Sequence, residues 1–348
     1  MAELEPSNAE IDELVSHVMA LRKDFIQDLL RQRGIAQSGL SKRALRDQVR
    51  DAISGGQLTV EQVVAFLDRE EPGGKQHVFL MRPTTKYNSN FKDLAKARRS
   101  LARTNDVKEL LEADVPLLMP EELQLSSVRL GGDLIEITAV EARRYTERDL
   151  AYDREEMSEE GLPVYLRAYV ERVARSSVTL RWDVKKRLAT LHITQATGRG
   201  LERDHYRDVR KRFADGVSPW LDFDVFEDQD LHKAVHELHR REQTKTKALT
   251  RSRYGLWLTP GGGELAATSP SKKASVFAES EMTRAVGAVS PKSSGVVSGN
   301  FYWLPGSKTP VDQDLHLKIF AGEARINFMV PSSADAVAHV ISEIRGLL

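Results

Sequence analysis

The stretch from Arg22 to Ile53, RKDFIQDLLRQRGIAQSGLSKRALRDQVRDAI, constrains the fold more than any other part of the chain. Phe25, Ile26, Leu29 and Leu30 fall at i, i+1, i+4 and i+5, the stripe of a helix that buries one face. Gly34 ends that helix, because glycine accepts the left-handed conformation a helix C-terminus requires. The polar turn Gln37-Ser38-Gly39 follows, and Ser41 is placed to cap a second helix with Leu45, Val49 and Ile53 facing inward. Lys42, Arg43, Arg46 and Arg50 lie along this second helix. The segment is predicted as two amphipathic helices joined by a tight turn, the second with a basic tip.

The surroundings are helical as well. Thr59 caps a short helix over Leu58 to Leu67, with Val60, Val63, Val64 and Leu67 inward, and Glu70-Glu71-Pro72-Gly73-Gly74 then reads as a linker. A compact helical domain is therefore expected over 1–72. Beyond it, His77 to Met81 is strand-like, a helix is expected from Phe91 to Arg103, and Val128 to Val140 reads as strand around a Gly131-Gly132-Asp133 turn. This basic helix-and-strand connector covers 76–160. From 161 to 348 alternating runs dominate: Val164 to Val173, Ser177 to Asp183, Leu188 to Thr194, Leu315 to Phe320 and Ala324 to Val330. Helices are expected at Asp204–Phe213 and Asp230–Gln243, and after a cap at Ser332 or Ser333. Residues 259–275 are turn-rich and read as a mobile connection. The fold class is α+β: a small all-helical N-terminal domain, then a larger domain with a mainly antiparallel sheet.

The order of parts in the opening segment resembles the SAP motif, a short helix–turn–helix module that binds DNA. Leu29, Leu30, Gly34, Ile35, Ser38, Gly39, Lys42 and Leu45 match its Leu-rich helix, Gly-apolar step, Ser-Gly turn, lysine and second helix. The chain departs from that pattern in carrying Leu40-Ser41 before the lysine, one residue more than the tightest form. The resemblance covers about a tenth of the chain. It implies contact with duplex DNA through Lys42, Arg43, Arg46 and Arg50, mostly at phosphates and so with weak sequence specificity. A helical hairpin of this kind can equally serve as a docking element for another protein.

Charge is balanced but unevenly placed. Fifty-one Lys and Arg face fifty-one Asp and Glu, which argues against a protein that coats nucleic acid by net charge alone. Arg82 to Lys108 holds eight basic residues, among them Arg98, Arg99 and Arg103, against Asp93 and Asp106, and Arg240 to Arg253 holds a second excess. An acidic run lies between, from Asp133 to Glu160. Such segregation builds either a positive face that widens a DNA footprint, here through Arg98, Arg99 and Arg103, or solvated faces that neutralise one another.

Catalytic patterns are sparse. The chain has no cysteine, which removes disulfides and thiolate chemistry and fits a reducing compartment. No phosphate loop and no nucleophile elbow occurs, and neither a signal peptide nor an ~18-residue apolar span is present. A cytoplasmic, non-enzymatic protein without a cofactor is expected. His232, His236 and His239 fall at i, i+4 and i+7 of a helix, a spacing at which imidazoles can share a metal, but they also border the apolar stripe Leu231, Val235 and Leu238. They keep open a metal-dependent nuclease or hydrolase. His192-Ile-Thr194 has the His-x-Thr form of the two-histidine phosphoesterases, and His316-Leu-Lys318 lacks the hydroxyl of a second copy. Phe301-Tyr302-Trp303 reads as a core strand or as a base-stacking trio. The leading expectation is a DNA-binding protein whose larger domain binds a protein partner or self-associates. The alternative is a protein-interaction subunit of a larger assembly.

Overall fold

The computed structural model describes all residues except 1–6, 22, 36–40, 71–73, 85–90, 92, 114–118, 196–204, 246–247, 260 and 290–294. Four helices open the chain: α1 (Asn8–Ala20), α2 (Lys23–Arg31), α3 (Lys42–Ser54) and α4 (Val60–Glu70). Each boundary has a side-chain or backbone cause. Ser7 and Glu10 cap α1 reciprocally, with Glu10 N–H donating to Ser7 Oγ at 3.3 Å and Ser7 N–H to Glu10 Oε2 at 2.7 Å. Gly34 sits at φ +71°, which lets the Ile35 N–H reach back to the Leu30 carbonyl at 3.0 Å and close α2. Ser41 Oγ accepts from Ala44 N–H and starts α3, and Thr59 with Gln62 caps α4 in the same reciprocal way. The expected turn at Gln37-Ser38-Gly39 lies outside the described residues. Ile26, Leu29 and Leu30 of α2 and Leu45, Val49 and Ile53 of α3 are buried in one apolar cluster with Leu14 and Val18 of α1 and Val63 and Leu67 of α4.

The rest of the chain is built on β1 (Gln76–Pro83), β2 (Gln124–Gly131), β3 (Leu134–Arg148), β6 (Tyr169–Asp183), β7 (Leu188–Thr194), β8 (Phe226–Asp228), β9 (Thr250–Leu258), β10 (Glu264–Thr268), β11 (Gly295–Trp303), β12 (Leu315–Phe320) and β13 (Arg325–Phe328). They form one 11-stranded sheet in the order β10-β9-β11-β12-β13-β1-β7-β6-β3-β2, with β8 also on β1, and every named pair is antiparallel. A separate hairpin of β4 (Arg154–Met157) and β5 (Pro163–Leu166) connects β3 to β6. The helices are α5 (Leu94–Leu101), α6 (Asn105–Lys108), α7 (His205–Val217), α8 (His232–Gln243), α9 (Ser280–Val289) and α10 (Ala334–Arg345). The fold is α+β with a helical N-terminal region. Among the described residues no helix is long and apolar enough to cross a membrane.

Strand side chains alternate between faces, and β1 uses both. Val78 and Leu80 enter a core with Leu317, Ile319, Ile326, Phe328 and the apolar stripes of α8 and α10. Phe79 and Met81 point the other way, into a core with Val178, Leu180, Trp182, Leu191 and the inner faces of α5 and α7. The helices therefore cover opposite faces of the two halves of the sheet, and β1 is where the cover changes sides. Close approach is built in at Gly299 on β11, where a Cβ would lie 2.4 Å from Cε2 of Phe301 and 3.2 Å from Val235.

Several elements differ from the sequence expectation. Strand β3 runs eight residues past Val140, to Arg148, because β6 pairs with it along its whole length, from Leu134↔Asp183 to Arg148↔Tyr169. Helix α5 begins only at Leu94, since Asp93 caps it by accepting from Lys96 N–H at 2.7 Å, and Phe91 is instead a buried core side chain. The 259–275 stretch is not a plain mobile connection. It holds β10, turned back onto β9 by Gly262 at φ +84°. The stretches 76–160 and 161–348 both contribute strands to the one sheet.

Because β1 serves both cores, Phe79→Ala and Leu80→Ala should each lower stability by about 2–5 kcal/mol. Both variants should shift the same urea transition, read by tryptophan fluorescence, with Trp182 in one core and Trp257 and Trp303 in the other.

Candidate nucleic-acid interface

Helix α3 packs on α2 through Leu45, Val49 and Ile53, and this fixes where its charged positions point. Lys42, Arg46 and Arg50 recur at every fourth residue and so form one row, roughly 12 Å long at 1.5 Å per residue. The row lies along α1. Lys42 Nζ donates to the Leu21 carbonyl at 3.3 Å, Arg46 to Ser16 Oγ at 3.2 Å and Arg50 to Asp12 Oδ2 at 3.3 Å. The falling partner numbers show that α1 and α3 run antiparallel at this seam. Arg43 is exposed beside the row.

The partners matter more than the contacts. A carbonyl at the C-terminal end of α1 and a serine hydroxyl orient Lys42 and Arg46 without neutralising them. Only Arg50 meets a carboxylate, and both members of that pair are half exposed, Arg50 at 48% and Asp12 at 56%. An exposed pair of this kind is worth at most about 1 kcal/mol and exchanges readily for another anion. Burial first, and the neighbouring Lys75 ammonium second, hold the Lys42 amine below its usual pKa. Lys75, just ahead of β1, thus adds a second positive charge that acts on Lys42. Lys75 was not singled out in the sequence, because it follows the Gly-Gly linker and belongs to no charge run.

The second basic group is placed differently. Arg98 on α5 donates to Glu112 Oε1 at 2.7 Å and to the Leu130 carbonyl at 3.4 Å, so its charge is matched where α5 packs on β2. Arg99 Nε donates to the Ala95 carbonyl of its own helix at 3.2 Å. Arg98 and Arg99 therefore belong to α5, which covers the edge strand β2, and Arg103 is exposed just beyond that helix, whereas the N-terminal helical region contacts the sheet at β6.

The histidine stripe of α8 is parted by burial. His236 is exposed, and His232 is held at Asp230 Oδ1 through Nδ1 at 2.5 Å. His239 is buried with its ring 5.1 Å from Trp257, 5.0 Å from Phe301 and 5.5 Å from Phe277. Burial pushes its pKa down to about 3. Among the described residues no three His, Asp or Glu side chains are gathered as a metal site. His192 lines a cavity of about 250 Å³ between β6, β7 and α10, with Thr190, Arg181 and Arg345. Its two nitrogens are taken by Gln76 Oε1 at 2.8 Å and Thr190 Oγ1 at 3.0 Å, and burial drives its pKa well below the usual value. Thr194 bonds Ser177 instead, so the His-x-Thr pair does not converge. Arg345 spans the sheet, donating to the carbonyls of Ala189 at 2.5 Å and Met81 at 3.3 Å and to Gln229 at 3.1 Å. These groups hold α10 to the sheet. Of the aromatic trio, Phe301 and Trp303 are core residues, while Tyr302 lies on the opposite face against His316, ring centroids 4.6 Å apart.

His77 is another deeply buried imidazole. It accepts from Arg325 at 2.7 Å and stacks on Tyr206 at 3.6 Å, and burial with the Arg325 charge takes its pKa to about 3. An unfolded histidine protonates near pH ~6.5, so between that value and about 3 the unfolded chain binds more protons. Stability is full above this window and falls as pH drops through it, by up to ~1.4 kcal/mol per pH unit for each such histidine. His239→Leu is expected to flatten this acid loss in pH-dependent urea unfolding, relative to the native sequence.

No protein-family model matches this chain, and no curated protein matches it.

Proposed function

We propose that the protein is a non-enzymatic DNA-binding protein. Its helical domain is the head that contacts duplex phosphates, and its larger domain docks another protein chain. The observation that carries this reading is the seam of α1 and α3. There Lys42 and Arg46 are oriented by neutral oxygens, so their charges are left for an anion from outside, and the Lys75 ammonium adds a further positive charge that acts on Lys42. A phosphate backbone supplies anions in a row, and a helix row at every fourth residue is suited to follow it. Arg50 joins by exchanging Asp12 for a phosphate, and Arg43 lies on the exposed side of the same helix. The contacts are to backbone, so affinity should vary little with sequence. The SAP-like order of Gly34, Ile35, Lys42 and Leu45 supports the same use of this hairpin.

The test is binding of the full chain to a short duplex over a range of salt. Four phosphate contacts, at Lys42, Arg46, Arg50 and Lys75, should give a log–log salt slope of about −3.6, at roughly −0.9 per contact. Lys42→Ala and Lys75→Ala should each reduce the slope by about one contact while leaving the unfolding midpoint near that of the native chain. Binding with no salt dependence, or variants that bind as the parent does, would remove the helical domain from the role.

A further inference from the structure

All the large apolar side chains that stand exposed among the described residues lie in one stretch of sequence, Leu150 to Val173. They are Leu150, Tyr152, Met157, Leu162, Val164, Tyr165, Leu166, Tyr169 and Val173, with Leu150 at 70% and Tyr165 at 68%. The stretch is an arm. Strand β2 pairs with β3 only up to Val140, and β7 pairs with β6 only from Val178. Beyond those points β3 and β6 pair with each other alone, from Glu141↔Ser176 to Arg148↔Tyr169, and end in the β4–β5 hairpin, every strand residue of which is exposed. A two-stranded ribbon without a core is marginal in water, and contiguous apolar exposure of this kind marks a docking surface.

We propose that this arm is a dimerisation arm, which pairs about a two-fold axis with the same arm of a second copy of the chain. The inference rests on the reading that the larger domain docks another chain, and it names that chain. Charge is the first argument. From Asp149 to Glu160 the tip carries Asp149, Asp153, Glu155, Glu156, Glu159 and Glu160 against Arg154 alone. The stem, 141–148 with 167–175, carries six arginines against Glu141, Glu147 and Glu171. Of these, Arg175 is buried and Arg143 is held by Glu141, while Arg144 and Arg148 make partly exposed pairs with Glu121, Glu171 and Asp153 that can exchange for acids of a second arm. An acidic tip joined to a basic stem is complementary to itself when two arms lie antiparallel, tip on stem. A two-fold axis requires such self-complementarity of one patch. Glu155, Glu156, Glu159 and Glu160 form no ion pair among the described residues. The same acids set the arm against nucleic acid as its occupant. Area is the second argument: nine large apolar side chains stand exposed on one ribbon, a large apolar surface for a region with no core of its own, and a standard interface buries ~800 Å² on each side. The ribbon's open edges add main-chain groups that a second ribbon can pair.

The test is the mass of the full chain in sedimentation velocity, without DNA, at micromolar concentration. The expected result is a dimer of the 39.1 kDa chain. Tyr165→Ser with Leu166→Ser, and separately Glu155→Arg with Glu156→Arg, should give monomers whose urea midpoint is unchanged, since these positions touch no core. Mixing the charge-reversed chain with a chain reversed at Arg144 and Arg148 to Glu should restore a dimer. A native chain that is monomeric at tens of micromolar, or variants that stay dimeric, would overturn the proposal. So would a monomer that floats with phosphatidylcholine vesicles, which would assign the tip to a lipid surface. None of these results depends on duplex binding, so the DNA reading stands or falls separately.

Discussion

The alternation of β1 is the constraint on which the rest of the molecule depends. A strand of a mainly antiparallel sheet usually keeps one face for the core and one for water. Here Val78 and Leu80 are sealed under α8 and α10 while Phe79 and Met81 are sealed under α5 and α7, so the strand has no solvent face to give up. Its neighbours then follow. The C-terminal β13 and the mid-chain β7 flank it, and the polypeptide must return from both directions to complete the sheet. Most pairings of β1 are therefore distant in sequence, which delays their formation until much of the chain is available.

This arrangement explains what was legible in the sequence. Local features were: the Gly34 stop, the Ser41 and Ser333 caps, the β12–β13 hairpin and the inward set of α3 all follow from spacing over fewer than ten residues. The near-continuous apolar run His77 to Met81 also marked a strand. What it could not mark was that two cores meet there, because α5 is near in sequence but α7, α8 and α10, which complete the two covers, lie more than a hundred residues away. The length of β3 was missed for a related reason. Its outer half, with Arg143, Arg144 and Arg148, has the composition of a solvated surface and is held as strand only by pairing with β6.

The candidate interface was legible in part. Periodicity set Lys42, Arg46 and Arg50 on one side of α3, but not that this side would lie along α1, or that Lys75 would complete it. Charge counting overstated Arg98, which is balanced by Glu112 across a loop. The His232, His236 and His239 spacing was real, yet burial of one ring and exposure of another separate what the helix wheel had aligned. In each case spacing along the chain aligned the residues, and the third dimension decided which of them meet partners and which do not.

The most direct measurement is protection of lysine amines from acetylation by a short duplex, read by mass spectrometry on the full chain at low salt. If the seam of α1 and α3 meets the phosphates, Lys42 and Lys75 should be protected while Lys185 and Lys186, exposed on the β6–β7 turn, react as they do in the free protein. Equal reactivity of all four with and without DNA, or protection of the turn rather than the seam, would contradict the account.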